Sequence, residues 1–228
     1  MAELWVLQLG TVPYREALAL QESLRAARQA DAIPDVLLLL DHPPICTRGR
    51  RTEAWELPLG AGWYEAKGIE IVEVDRGGRA TYHGPGQLVG YPIAKLGPIV
   101  EFLRTMERAI VAALGEEGVE ARGADARPTG VWVGDRKIAS LGIHVARRVS
   151  THGFAINVNN DLEPFEWIVP CGLEGVEMTS LVRETGAGDF DRFRKRVAFQ
   201  FAQALGARQR LVSRAQLEQA AGTLVAAA

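Results

Sequence analysis

Cys171 stands in the stretch EWIVPCGLEG, between Pro170 and Gly172. A proline before it and a glycine after it describe a tight, exposed bend, whereas cysteine usually packs as a small core hydrophobe. A thiol reacts as its thiolate, and near neutral pH a free thiol is only slightly ionised. A nucleophilic cysteine therefore needs a cationic or basic neighbour. The candidates are Lys137 in GVWVGDRKIASLGIHV and His83 in RGGRATYHGPGQ. If the strand through Lys137 runs without a bulge, that lysine shares an apolar face with Ala139, Leu141, Ile143 and Val145. Partial desolvation there is how lysine amines become bases near neutral pH. The plainer alternative is a stem that covers apolar surface while its head reaches water. The strand pattern alone favours the plainer one.

The segment from Arg76 to Gln87 gathers glycines, two arginines, a tyrosine and a histidine between two predicted strands. Glycine lets a ligand approach the backbone closely, and loops carrying such polar groups are where binding sites concentrate. It is not a Walker A loop, because no Gly-Lys-Ser/Thr follows. Nor is it a dinucleotide fingerprint, because a strand rather than a helix comes next. Of the four histidines, His83 is the functional candidate. His42 before two prolines reads as structural, His144 as a surface or satisfied residue, and no His-x-x-x-His pair supports a metal site. Cys46, in HPPICTRG, reads as a packing residue.

These residues need a scaffold, and 228 residues with 47% hydrophobic and 24% charged content suffice for a soluble globular domain. A net charge of −2 gives no reason to expect nucleic acid or a membrane surface as partner. Two cysteines make no disulfide framework. The start MAELWVLQLG has no signal-peptide pattern, and the longest aliphatic run, Val36 to Leu40, is too short to span a bilayer. The expected compartment is the reducing cytoplasm.

LWVLQL, DVLLLLD, IEIVEVD, QLVGYPI, the two arms of GVWVGDRKIASLGIHV and GFAINVN read as strands, with a tight turn at Gly134-Asp135. DHPPICTRGR reads as a loop or edge strand, since two prolines cannot lie inside a sheet. Helices are predicted over 14–30, over 98–115 on Ile99, Phe102, Leu103, Met106, Ile110 and Leu114, and around Phe190, Phe193, Val197 and Phe201. The expected architecture is α+β: a mixed, mostly antiparallel sheet flanked by helices. Residues 1–228 are expected to form a single domain, of which 206–228 read as an appended helical tail.

Taken in order, DHPPICTRGR, RGGRATYHGPGQLVGYP, PTGVWVGDRKIASLGIHV, STHGFAINVNNDLEPFEWIVPCGLEG and MTSL resemble the octanoyl-(acyl-carrier-protein):protein transferases, the lipoyl/octanoyl transferase family. The resemblance implies a biotin/lipoate protein ligase-like fold. It places the acyl-thioester cysteine on Cys171 and its paired lysine on Lys137. It places substrate binding on the loop of Arg76, Gly77, Gly78, Arg79, Ala80, Thr81, Tyr82 and His83, on Ser140, Leu141 and Gly142, and on Gly153, Phe154 and Ala155. Cys46 stands where relatives often carry an aromatic residue, and Arg79 where glutamine is frequent.

The implied reaction moves an octanoyl group from acyl carrier protein, through a Cys171 thioester, to a lysine on a lipoyl domain. The implied acceptors are the lipoyl domains of 2-oxoacid dehydrogenase E2 subunits and the glycine cleavage H protein. No cofactor, ATP or metal is implied. The runner-up class is the ATP-dependent lipoate or biotin protein ligase, against which PCG together with GDRKIAS weighs. Oxyanion donors are expected from backbone amides near Cys171 or from the His83 loop. Arg48, Arg50, Arg51, Arg147 and Arg148 are candidates for meeting an acidic carrier protein.

Overall fold

Among the described residues the chain runs β1 (Ala2–Thr11), α1 (Tyr14–Gln29), β2 (Asp35–Asp41), β3 (Ile45–Arg48), α2 (Ala61–Ala66), β4 (Glu70–Glu73), β5 (Thr81–His83) and β6 (Gln87–Ile93). It continues through α3 (Ile99–Gly115), β7 (Val131–Val133), β8 (Arg136–Ala146), β9 (Val149–Asn157), α4 (Leu181–Thr185), α5 (Phe190–Ala204), β10 (Ala207–Leu211) and α6 (Arg214–Val225). Short 3-10 turns occupy Ala54–Glu56, Glu163–Trp167 and Pro170–Gly172. The computed structural model describes residues 2–124 and 128–225.

The aliphatic run of β2 dictates the layering. Successive strand side chains point to opposite faces, yet Val36 through Leu40 are all fully buried. Both faces of the sheet must therefore be covered. Leu37 and Leu39 join one core with Met106 and Ile110 of α3 and Phe193 and Phe201 of α5. Val36, Leu38 and Leu40 join a second core with Leu24 of α1 and Leu217 of α6. The main sheet has the order β10-β1-β2-β6-β9-β8-β7. It is parallel at β10-β1-β2 and antiparallel from β2 onward. This is the mixed, mostly antiparallel α+β arrangement expected from the sequence.

Several local features differ from expectation. DHPPICTRGR supplies not an edge but the middle strand of a second, three-stranded sheet, β4-β3-β5. Both prolines precede β3, so every ladder donor within Ile45–Arg48 is retained. Strand β9 begins before Thr151 and His152 and carries both within it. Ile99, assigned to the apolar stripe, is about half exposed at the first turn of α3. The tail brings an edge strand, β10, as well as α6, and its last three residues lie outside the described residues.

The bulge-free strand through Lys137 does not hold either. Val131 pairs with Ala139 while Trp132 pairs with Lys137, so Ile138 is an extra residue on β8. Ile138 and Ala139 both enter the core under α3 and α5. Lys137 is thereby turned away from that face and onto the side of Ser140.

Phe193 is fully buried and closes the core between α5 and the sheet. Phe193→Ala is expected to cost about 3–5 kcal/mol, read as a lowered urea midpoint with an unchanged slope.

Candidate active site

The second sheet stands against the α1 side of the main sheet, and a cavity of ≈ 380 Å³ lies between them. This is within the range of about 300–1,000 Å³ usual for small-molecule sites. One wall comes from β6, β8 and β9, through Val89, Tyr91, Ser140, Gly142 and Ala155. The other comes from the glycine-rich segment, through Arg76, Gly78, Thr81 and His83. Gly77 N–H donates to Ile143 O at 3.0 Å, fastening that segment to β8.

Cys171 opens onto this cavity from the turn Pro170–Gly172, with φ 59° and ψ 16°. Lys137 Nζ donates to its Sγ at 3.3 Å, and Ser140 Oγ lies 3.8 Å from the same sulfur. Lys137 is only 1% exposed. Its head does not reach water, so the snorkelling alternative is excluded by geometry. The bulge at Ile138 puts Lys137 and Ser140 on one side of β8, where both meet the thiol. Trp132 lies under the ammonium at 5.4 Å from its ring centre. A Cβ on Gly130 would stand 2.6 Å from Lys137 Cε, so only glycine leaves room for the lysine stem.

The backbone binds the two residues together as well. Lys137 N–H donates to Glu177 O at 2.9 Å, and Thr179 N–H donates to Lys137 O at 3.0 Å. The chain leaving the cysteine turn is therefore the neighbour that satisfies both peptide groups of Lys137. Burial raises the Cys171 thiol, but the charge and hydrogen bond of Lys137, with help from Ser140 and Arg76, outweigh it. The net shift is downward, toward a populated thiolate.

Arg76 is the second buried cation. Its guanidinium donates to Thr47 O at 3.0 Å, Thr47 Oγ1 at 2.8 Å and Gly77 O at 3.2 Å. Among the described residues no carboxylate forms an ion pair with it. The nearby histidines add no charge at neutral pH. His42 Nδ1 donates to Val12 O, which can only accept, so its Nε2 accepts from Tyr91 O–H. Burial pushes His42 down to about 4 and His83 down to about 3. His152 is likewise lowered, chiefly by burial, although its Nε2 lies 2.7 Å from Asp75 Oδ1.

Most sequence-predicted binding residues face the cavity, with three exceptions. Arg76, Gly78, Arg79, Thr81 and His83 line it, as do Ser140 to Gly142 and Gly153 to Ala155. Tyr82 does not: on β5 it alternates with Thr81 and His83, and its ring packs edge-on against Phe165 at 5.6 Å. Gly77 and Ala80 contribute main-chain bonds rather than lining.

Of the expected oxyanion donors, the backbone amides of Cys171 and Gly172 are committed elsewhere. Cys171 N–H donates to Ala80 O at 2.8 Å, and Gly172 N–H donates to Val169 O at 3.1 Å. His83 Nδ1 faces Gln87 Oε1 at 2.7 Å, and Gln87 Nε2 in turn donates to Tyr82 O and Asn157 Oδ1. That orientation leaves His83 Nε2 an acceptor. Lys137 Nζ and Ser140 Oγ are donors that do face the sulfur.

Tyr14, Val89, Tyr91 and His152 line the cavity without having been singled out. Val89 and Tyr91 were readable by period two along QLVGYPI. His152, with φ 56°, and Tyr14, in the first turn of α1, left no such signal. Cys46 is fully buried, and burial pushes its thiol up to about 12. Exposed Arg51 borders the cavity, Arg48 pairs with Glu73, and Arg147 and Arg148 occupy the β8–β9 turn at the far end of β8 from Lys137. No group of three or more His, Cys, Asp or Glu among the described residues is placed to hold a metal ion. No helix among them is long and apolar enough to cross a membrane.

Comparison with known proteins gives a consistent assignment. The Lipoyl protein ligase A/B catalytic domain family matches residues 13–202. The chain is 50% identical over 185 residues to an octanoyltransferase of Acidothermus cellulolyticus, covering 78% of this chain and 80% of that protein. It is 43% identical over 220 residues to an octanoyltransferase of Caldicellulosiruptor saccharolyticus, covering 94% of each. A bi-partite lipoate protein ligase from Thermoplasma acidophilum shares the fold, with a TM-score of 0.74 at 19% identity over 98% of this chain and 92% of that one.

The lowered thiol has a direct readout. The pH midpoint for alkylation of Cys171 by iodoacetamide is expected below the ordinary value of 9.0. Lys137→Met removes the chief opposition to burial, leaving only Ser140 and Arg76 against it, and should raise the midpoint. A midpoint that does not respond to loss of the lysine would separate the two groups.

Proposed function

Because the chain belongs to the Lipoyl protein ligase A/B catalytic domain family, we propose that it is an octanoyltransferase acting in protein lipoylation. The donor is octanoyl thioester on the phosphopantetheine arm of acyl carrier protein. The acceptor is a lysine ε-amine on a lipoyl domain, as in 2-oxoacid dehydrogenase E2 subunits and the glycine cleavage H protein. The observation that carries this is the Cys171 thiol held 3.3 Å from the buried Lys137 amine at a small-molecule cavity.

In the first half-reaction the Cys171 thiolate attacks the donor carbonyl. The tetrahedral oxyanion is met by Lys137 Nζ and Ser140 Oγ, with the Arg76 cation behind them. Collapse expels the pantetheine thiolate, which takes a proton from Lys137, and the octanoyl group remains on Cys171 as a thioester. One thioester has replaced another, so no ATP is consumed.

In the second half-reaction the acceptor amine attacks the acyl-enzyme carbonyl. Lys137, now neutral, takes the proton that the amine loses. Collapse forms the amide and returns the Cys171 thiolate beside the Lys137 ammonium. The amide is more stable than the thioester, which drives the step. The thiolate–ammonium pair is thus regenerated in each cycle.

Incubation with octanoyl-acyl carrier protein is expected to add the mass of one octanoyl group at Cys171. An unmodified Cys171, or label on another peptide, refutes the acyl-enzyme. Cys171→Ser and Lys137→Ala should each lower transfer by ~100-fold or more while remaining folded. Transfer should also proceed without ATP and magnesium, whereas a strict ATP requirement supports the lipoate-ligase class.

A further inference from the structure

Cys171 occupies the left-handed region at φ 59°, and Gly172 follows it there at φ 66°. For a residue with a side chain this conformation is sterically disfavoured. It persists only where surrounding contacts over-determine it. The contacts responsible converge on Glu56, a carboxylate in the turn Ala54–Glu56 that is fully buried.

Both oxygens of Glu56 are satisfied. Oε1 accepts from Arg79 Nη1 at 2.7 Å and from Glu53 N–H at 2.9 Å. Oε2 accepts from Ala80 N–H at 2.9 Å. Ala80 is the residue whose carbonyl accepts the Cys171 N–H at 2.8 Å. The main-chain carbonyl of Glu56 reaches the same turn from its other side, accepting Val169 N–H at 2.8 Å. Arg79, held by Glu56 and Glu53, lays its stem across the turn: a Cβ on Gly172 would stand 2.4 Å from Arg79 Cδ. One buried carboxylate thus braces the cysteine turn through Ala80, Val169 and Arg79.

We propose that Glu56 is the positioning residue of the nucleophile. Acting through these neighbours, it holds Cys171 in the left-handed conformation that aims Sγ at Lys137 Nζ. It touches neither the sulfur nor the cavity. The proposal rests on Cys171 being the reactive thiol of the proposed function, but not on the identity of the acyl group.

A burial-driven stability role and a positioning role predict different outcomes for Glu56→Gln, which preserves volume and removes charge. Removing a negative charge by direct electrostatics lowers the pH midpoint of thiol ionisation. Release of the turn instead carries Sγ away from the ammonium and raises the midpoint. The experiment follows iodoacetamide alkylation of Cys171 in the folded variant from neutral to alkaline pH.

The expected result is a midpoint shifted upward, toward that of Lys137→Met. Alkylation at neutral pH should be about tenfold slower, which corresponds to one pKa unit. Rates should converge with the parent protein at alkaline pH, where both thiols are ionised. A midpoint that is unchanged or lowered overturns the proposal, whatever happens to the melting temperature. If Glu56→Gln does not fold, Glu56→Asp keeps the charge but shortens the reach to Ala80, and it should raise the midpoint by a smaller amount. An unchanged midpoint in Glu56→Asp overturns the proposal equally. Alkylation uses no acyl donor, so the outcome is independent of whether octanoyl is the natural group.

Discussion

A buried ammonium in contact with a thiol is the interaction around which this protein is organised. Lys137 is withdrawn from water, and burying an isolated charge costs several kcal/mol unless an opposite charge meets it. Among the described residues no carboxylate pairs with Lys137, and the Cys171 sulfur receives its hydrogen bond at 3.3 Å. The lysine therefore favours the thiolate. The bulge at Ile138, the missing side chain at Gly130 and the strip Glu177–Thr179 all serve to keep this contact in register.

The surroundings reinforce the polarity of that contact. Arg76 contributes a second buried cation whose ligands are neutral oxygens, so its charge is not cancelled locally. His42, His83 and His152 are all lowered by burial and add no competing positive charge. The cavity thus presents cations near the sulfur, neutral rings beyond them and apolar groups such as Val89 and Phe154 along its wall. That distribution suits chemistry in which negative charge develops on sulfur and on a carbonyl oxygen while an uncharged chain lies alongside.

Much of the scaffold was legible because it follows from local pattern. The doubly buried run of β2, the stripe of α5 and the Gly134-Asp135 hairpin each arise from residues adjacent in sequence. What escaped depends on neighbours distant in sequence. Two prolines made β3 read as an edge, yet they precede the strand and leave it in the middle of a separate sheet. Tyr82 falls within the binding segment but turns outward, because a three-residue strand presents alternate faces. Nothing in RRTEAWELP marks Glu56, and only the approach of Ala80 and Val169 makes it a brace.

The sequence by itself determined which groups were available: a cysteine forced onto a bend by proline and glycine, a lysine on a strand, and a polar, glycine-rich connection between strands. Those are properties of residue type and short-range spacing, and they survive in a one-dimensional reading. The tertiary structure decided which groups meet. Cys171 and Lys137 lie 34 residues apart, and their contact depends on one extra residue in β8 and one left-handed backbone angle. Neither is encoded by propensity, since both are local departures from regular geometry held in place by packing from distant segments. Burial, which shifts the thiol and silences the histidines, is likewise a property of the folded chain alone.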